Sequence, residues 1–194
     1  RFNDAAVDRL GRFFFAGTMN EKKPMAATGA LYRMDTQCRV TTLVTGVTVS
    51  NGIGWSPDNR LLYYTDTQTQ KTFVYDYDTD SGDLSNRRVF AEYPVEMGFP
   101  DGLTVDRDGC VWVAFFGGWQ VARYDPQGRE MAAYRLPVAN VTSVAFGGAG
   151  LDVLDITSAR TGLSEAQRKE QPEAGDLFAL ATDTQGYAEP LFNG

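Results

Sequence analysis

The chain contains no histidine. That absence removes Ser-His-Asp and Cys-His nucleophile systems and every imidazole-ligated metal site. Any metal would have to be held by carboxylate, amide and carbonyl oxygens, a donor set suited to Ca²⁺, Mg²⁺ or Mn²⁺, with Zn²⁺ a less typical occupant. Cysteine is nearly absent too. Cys38 and Cys110 have no metal-type spacing and read as reduced, buried structural thiols, with a disulfide between them left open. No run of about 18 apolar residues exists, so no transmembrane helix is expected, and no signal-peptide pattern opens the chain. Cationic residues are the minority, 18 Lys+Arg against 25 Asp+Glu for a net charge of −7. A nucleic-acid partner, which needs a basic patch, is therefore not expected. These absences describe a cytoplasmic protein with neither membrane nor nucleic-acid partners. The chain opens on Arg1 inside a motif, however, so its start reads as a cut that would have removed any leader.

What is present is a repeat. Four segments align without gaps: Val7–Thr18, Trp55–Asp66, Val105–Phe116 and Phe146–Thr157. Their starts lie 48, 50 and 41 residues apart, the length of a four-stranded propeller blade. The fifth position of each segment is Gly11, Asn59, Gly109 or Gly150, residue types that tolerate the positive φ of a tight turn. Asp58-Asn59 and Asp108-Gly109 predict type I′ hairpins. After each turn come aromatic and β-branched runs such as Leu61–Tyr64 and Val111–Val113, which predict buried second strands. Third strands are expected at Leu31–Asp35, Val74–Asp78, Ala122–Asp125 and Leu177–Leu180, followed by Asp-led turns. Fourth strands are expected near Val40–Val44, Arg88–Ala91, Glu130–Leu136 and Glu189–Phe192. Helix is scarce. Ser164–Lys169, with a capping-box pattern at Ser164 and Gln167, is expected as a helical insertion, and Asn20–Thr28 as a long loop. The fold class is all-β: a single partial β-propeller domain of about four blades, 1–46, 47–94, 95–138 and 139–194.

Four residues before each aligned segment stand Asn3, Asn51, Asp101 and Thr142. All are polar within otherwise apolar first strands, the strands that line a propeller's central channel. Two readings are open. These side chains cap turns entering the strand, or they form a ring of oxygen ligands for a hard divalent cation. Gly52 and Gly102 follow two of them, and Pro100 fixes φ just before Asp101. Three such residues in register favour the site. Arg1 faces the same side as Asn3 by strand alternation and reads either as a contact for an anionic or hydroxyl-rich substrate or as a surface arginine. Asp4 and Asp66 read as hydrogen bonders at turns or blade edges. Trp55, Trp112 and Trp119 read as packing residues rather than a sugar platform.

Several segments occur together in order: Arg1–Asp4, Ala16–Met19, Ser50–Gly52, Ser85–Arg88, Pro100–Gly102 and Gln171–Gly175. With them the chain resembles, over essentially its whole length, the gluconolactonase/regucalcin (senescence marker protein) family. That resemblance implies a six-bladed ring of which the first two blades are missing, and hydrolysis of a sugar lactone with one divalent cation (Ca, Zn, Mn or Mg). It implies Asn51 and Asp101 as metal ligands, Asp101 also as the catalytic proton acceptor, and Arg1 and Asn3 as substrate contacts. Lys22 falls where the family carries an acidic residue and is expected to touch sugar hydroxyls or a product carboxylate. The family's third ligand, a glutamate near its N-terminus, has no counterpart here. Two other functions stay open: a non-catalytic propeller module binding calcium or a protein, and an esterase-type lactonase acting on non-sugar lactones.

Overall fold

The tight turns that open each repeat fix the register of everything after them. In the first three repeats the turn starts at Asp8, Ser56 or Asp106, whose side chain accepts backbone N–H groups in or just beyond the turn. Asp8 Oδ1 takes Arg12 N and Phe13 N, Ser56 Oγ takes Arg60 N and Leu61 N, and Asp106 Oδ1 takes Asp108 N and Cys110 N. The type I′ expectation is not met, because that turn needs positive φ at both central residues. Here only the closing residue has it: Gly11 (71°), Asn59 (58°) and Gly109 (81°). Each closes an i→i+3 bond, to Asp8, Ser56 and Asp106 respectively. In the fourth repeat the turn is shifted, and positive φ falls on Gly148 and Leu151 rather than on Gly150.

The computed structural model describes all of residues 1–194. It divides into two units, Arg1–Glu92 with Glu189–Gly194, and Tyr93–Ala188. The first unit holds two four-stranded antiparallel sheets. One is β1 (Phe2–Val7), β2 (Phe13–Thr18), β3 (Gly29–Asp35) and β4 (Val40–Val47); the other is β5 (Ser50–Trp55), β6 (Leu61–Asp66), β7 (Lys71–Tyr77) and β8 (Leu84–Glu92). The second unit holds a four-stranded sheet of β9 (Phe99–Val105), β10 (Val111–Phe116), β11 (Gln120–Tyr124) and β12 (Glu130–Arg135). Its other sheet has three strands, β13 (Val141–Gly147), β14 (Val153–Ser158) and β15 (Leu177–Ala181). In every sheet the strands pair in chain order. The chain is thus nearly all β, four propeller blades in succession. The single helix, α1 (Glu165–Glu170), starts on the expected capping box, with Ser164 Oγ accepting from Gln167 N and the Gln167 side chain accepting from Ser164 N. No helix is long and apolar enough to cross a membrane.

One strand expectation fails. Glu189–Phe192 does not complete the last blade. Pro190 has no N–H to give a ladder, and the segment instead meets the first blade: Asn193 N donates to Gly11 O at 2.8 Å and Phe192 packs on Phe14. Cys38 and Cys110 are both free thiols, and Cys38 is exposed rather than buried.

Each unit has its own core. In the first, Phe15, Trp55 and Tyr77 form a triangle of edge-to-face rings with centroids 5.2–6.0 Å apart, a preferred arrangement of aromatic quadrupoles. Leu31, Leu62 and Tyr64 close around it. In the second, fully buried Trp112 stacks on Tyr134 and meets Phe146 edge-on, among Val121, Val141 and Leu154. Trp55 and Trp112 are packing residues as expected, whereas Trp119 is 38% exposed.

Candidate functional site

All four first strands carry an irregularity at the same place. Phe2 pairs with Thr18 and Ala5 with Ala16, so Asn3 and Asp4 oppose Gly17 alone. Asn51 pairs with Thr65 and Ile53 with Tyr64, leaving Gly52 unmatched. Pro100 pairs with Phe115 and Leu103 with Val113, so Asp101 and Gly102 oppose Ala114. Val141 pairs with Ser158 and Ser143 with Thr157, leaving Thr142 unmatched. These are β-bulges, which interrupt the ladder and re-aim side chains. The polar column of Asn3, Asn51, Asp101 and Thr142 therefore stands at the bulges or, for Asn51, directly before one.

Within the first unit the bulge residues meet. Asn3 Nδ2 donates to Asn51 Oδ1 at 3.0 Å and to the Ser50 carbonyl at 2.8 Å. Arg1 Nη1 donates to Asn3 Oδ1 at 2.8 Å, and Arg1 Nε to Glu21 Oε1 at 2.8 Å. Asn51 Nδ2 donates to Thr67 Oγ1 at 2.8 Å. Asn51 and Thr67 are buried, Asn3 half-buried and Arg1 exposed. The strands approach this closely because Gly17 lies against Ser50. Arg1 and Asn3 thus share a face, as strand alternation requires.

Beside the bulge, Asp4 accepts from Ala5 N at 2.8 Å, and burial pushes its carboxyl above the usual carboxylate range. Asp66 is a hydrogen bonder, accepting from Thr48 N and Val49 N and from the Thr48 hydroxyl. Lys22 is exposed on the turn after β2. The acidic neighbour that meets Arg1 is Glu21, one residue earlier. Sequence reading passed over Glu21 because it set the family's acidic position at Lys22; an acid two residues after Met19 was the available signal. Thr67 left no signal, since it is brought to Asn51 only by the β5–β6 pairing.

In the second unit, Asp101 is half-buried on β9, and Gly102 lies against Ser143 of β13. Thr142 shares a hydroxyl–hydroxyl bond of 2.7 Å with Thr157, so its oxygen is already engaged.

No group of three or more carboxylate or thiolate side chains gathers in this structure. A cation held here would depend on amide and backbone oxygens beside single carboxylates, which hard cations accept. Asn51 Oδ1 fits that need. An amide oxygen has two lone pairs, and Asn3 occupies one.

Comparison with known proteins shows what the chain is similar to. A family described as the SMP-30/Gluconolactonase/LRE-like region matches residues 1–160. Regucalcin of Danio rerio is 42% identical over 182 residues, covering 93% of this chain and 61% of that protein. The pentonolactonase XacC of Haloferax volcanii is 40% identical over 193 residues, covering 97% of this chain and 65% of that protein. A crystal structure of a calcium-binding protein, regucalcin, from Agrobacterium tumefaciens superposes with a TM-score of 0.93 at 30% identity, over 98% of this chain and 64% of that one. The chain spans less than two thirds of the length of each of these relatives.

Proposed function

Because the chain belongs to the SMP-30/gluconolactonase/LRE-like family, we propose that its protein hydrolyses a sugar lactone with the help of one divalent cation. The observation that carries the reading is the bulge column, which sets Asn3, Asn51 and Asp101 at one position of successive first strands. A lactonase among the relatives supports the reaction class, and a neighbour named as calcium-binding supports the cation.

Asn51 and Asp101 are assigned as ligands of the ion, which is Ca²⁺, Mg²⁺, Mn²⁺ or Zn²⁺. The chemistry such an ion supplies is polarisation of the lactone carbonyl and a lowered pKa for water. Asp101 takes the proton from the attacking water. The water oxygen bonds to the carbonyl carbon, the ring C–O bond breaks, and the same proton passes to the leaving alkoxide, giving a hydroxy acid. Asn3 and Arg1 orient substrate oxygens, the guanidinium suiting the carboxylate product, and Lys22 is assigned as a further contact. No covalent nucleophile is needed, in keeping with a chain that has no histidine.

The test is turnover of a sugar lactone by the whole protein, with and without a chelator, beside the Asp101→Ala variant. Chelation and the substitution should each abolish hydrolysis. Near-normal turnover by Asp101→Ala would refute the assignment, and activity surviving complete metal removal would refute the role of the cation. The second reading, a calcium-binding module without catalysis, rests on the same neighbour's name and is distinguished by cation binding with no turnover of any lactone.

A further inference from the structure

The hydrogen bonds around Asn51 run in one direction. A guanidinium only donates, so the Asn3 amide must turn its oxygen to Arg1 and its nitrogen to Asn51. Asn51 then turns its oxygen to Asn3 and its nitrogen away, toward Thr67 Oγ1 at 2.8 Å. A flipped Asn51 would set two NH₂ groups against each other and aim its oxygen at the threonine. The far end of the chain is equally fixed. Thr67 begins the one-turn 3₁₀ segment Thr67–Thr69, its N–H donates to the Val49 carbonyl, and Thr69 Oγ1 caps the Asp66 carbonyl at 2.7 Å. Asn51 and Thr67 are both under 10% exposed, at 7% and 6%, so water does not readily replace the acceptor.

We propose that Thr67 is a positioning residue for cation binding, its hydroxyl holding the Asn51 amide so that Oδ1 keeps a free lone pair for the ion. The proposal rests on the assignment of Asn51 as a ligand. Without the Thr67 oxygen the Asn51 NH₂ loses a buried acceptor. Because an unmade buried hydrogen bond is costly, the amide turns to find another partner and carries Oδ1 off its line. Residues that orient a metal ligand commonly govern affinity by about 10–100-fold.

The experiment is calorimetric titration of the whole, chelator-treated protein with Ca²⁺ and with Mn²⁺ alone, alongside metal-free thermal melts. Thr67→Val should bind about tenfold or more weakly, while Thr67→Ser, which keeps the oxygen, should bind as the parent does. A merely structural role would move the metal-free melt of Thr67→Val without that loss of affinity. Thr67→Ala removes the same acceptor with less bulk and is read in the same way should the valine variant not fold. Parental affinity in Thr67→Val or Thr67→Ala, with binding lost in Asn51→Ala, would overturn the positioning role and leave the ligand assignment standing. Parental affinity in Asn51→Ala would overturn both.

Discussion

Gly17 on β2 is where the packing of the first two blades can be tested by arithmetic. Its φ is not positive, so an alanine there would meet no backbone strain, only a lack of room. A Cβ added to Gly17 would stand 1.6 Å from Ser50 Oγ and 2.3 Å from Ser50 Cβ, with the next neighbour, Tyr64 Oη, at 3.4 Å. A rotamer change could move the hydroxyl, but Ser50 Cβ is fixed by its backbone, so β5 itself must shift. Overpacking of this kind costs about 1–3 kcal/mol. Ser50→Gly deletes both offending atoms and costs about 0.5–1 kcal/mol as a glycine within a strand. In the double variant the nearest remaining atom is Tyr64 Oη, at ordinary contact distance. Its penalty should then vanish, leaving a coupling of about 1–3 kcal/mol, within the range for touching residues. Urea unfolding of the four proteins gives the cycle. Losses that add to within about 0.5 kcal/mol would refute the close approach of β2 to β5. Ser50 also precedes Asn51 and its carbonyl receives Asn3, so Gly17→Ala alone should also weaken cation binding.

Two further outcomes are expected. Asp106 is fully buried and its Oδ2 accepts from Trp112 Nε1 and Arg123 Nε, each at 2.9 Å; Asp106→Ala strands both donors and should cost about 3–5 kcal/mol in denaturant unfolding, whereas a loss under about 1 kcal/mol would show that the pair carries no load. Burial raises the Asp4 carboxyl, so its favourable contribution is complete below the unfolded pKa and is lost as pH rises through the folded one. Asp4→Asn should therefore raise the melting temperature at about pH 7 and lose that advantage toward about pH 4; a gain that grows on acidification would contradict the sign.

How much of this was legible in the sequence follows from how local each signal is. Strand positions were readable because turn residues and apolar runs are local. Leu61–Asp66 and Val111–Phe116 lie where Asn59 and Gly109 put them. The helix start was readable because a capping box is four residues long. The type of turn was not, since Asp58-Asn59 suits a type I′ pair as well as a type I turn closed by one left-handed residue; the choice falls to Ser56, whose hydroxyl gathers the two amides beyond. The last strand was misread for a non-local reason. Glu189–Phe192 has the composition of an edge strand, but its partners are Gly11 and Phe14, nearly the whole chain away.

The column was legible as chemistry before it was legible as geometry. A polar residue in an apolar strand stands out in any sequence, but a bulge has no signature beyond an occasional glycine, and only two of the four positions supply one, Gly52 and Gly102. The bulge changes what the residue can do. In an unbroken ladder, side chains alternate and an amide on the buried face must satisfy itself within the sheet. With an extra residue, Asn51 is freed to accept from Asn3 of the neighbouring sheet while donating to Thr67 of its own. Its orientation then follows from two groups that cannot switch roles, the Arg1 guanidinium, which only donates to Asn3, and the Ser50 carbonyl, which only accepts from it. The arginine that reads as a substrate contact thus also fixes the polarity of the proposed ligand, and the two roles can be separated. Arg1→Lys keeps a donor-only cation and should preserve cation affinity better than Arg1→Glu, which would leave the Asn3 oxygen without its donor and compete with Asn51 for the Asn3 NH₂. Equal cation affinity in these two variants would show that the series does not transmit orientation.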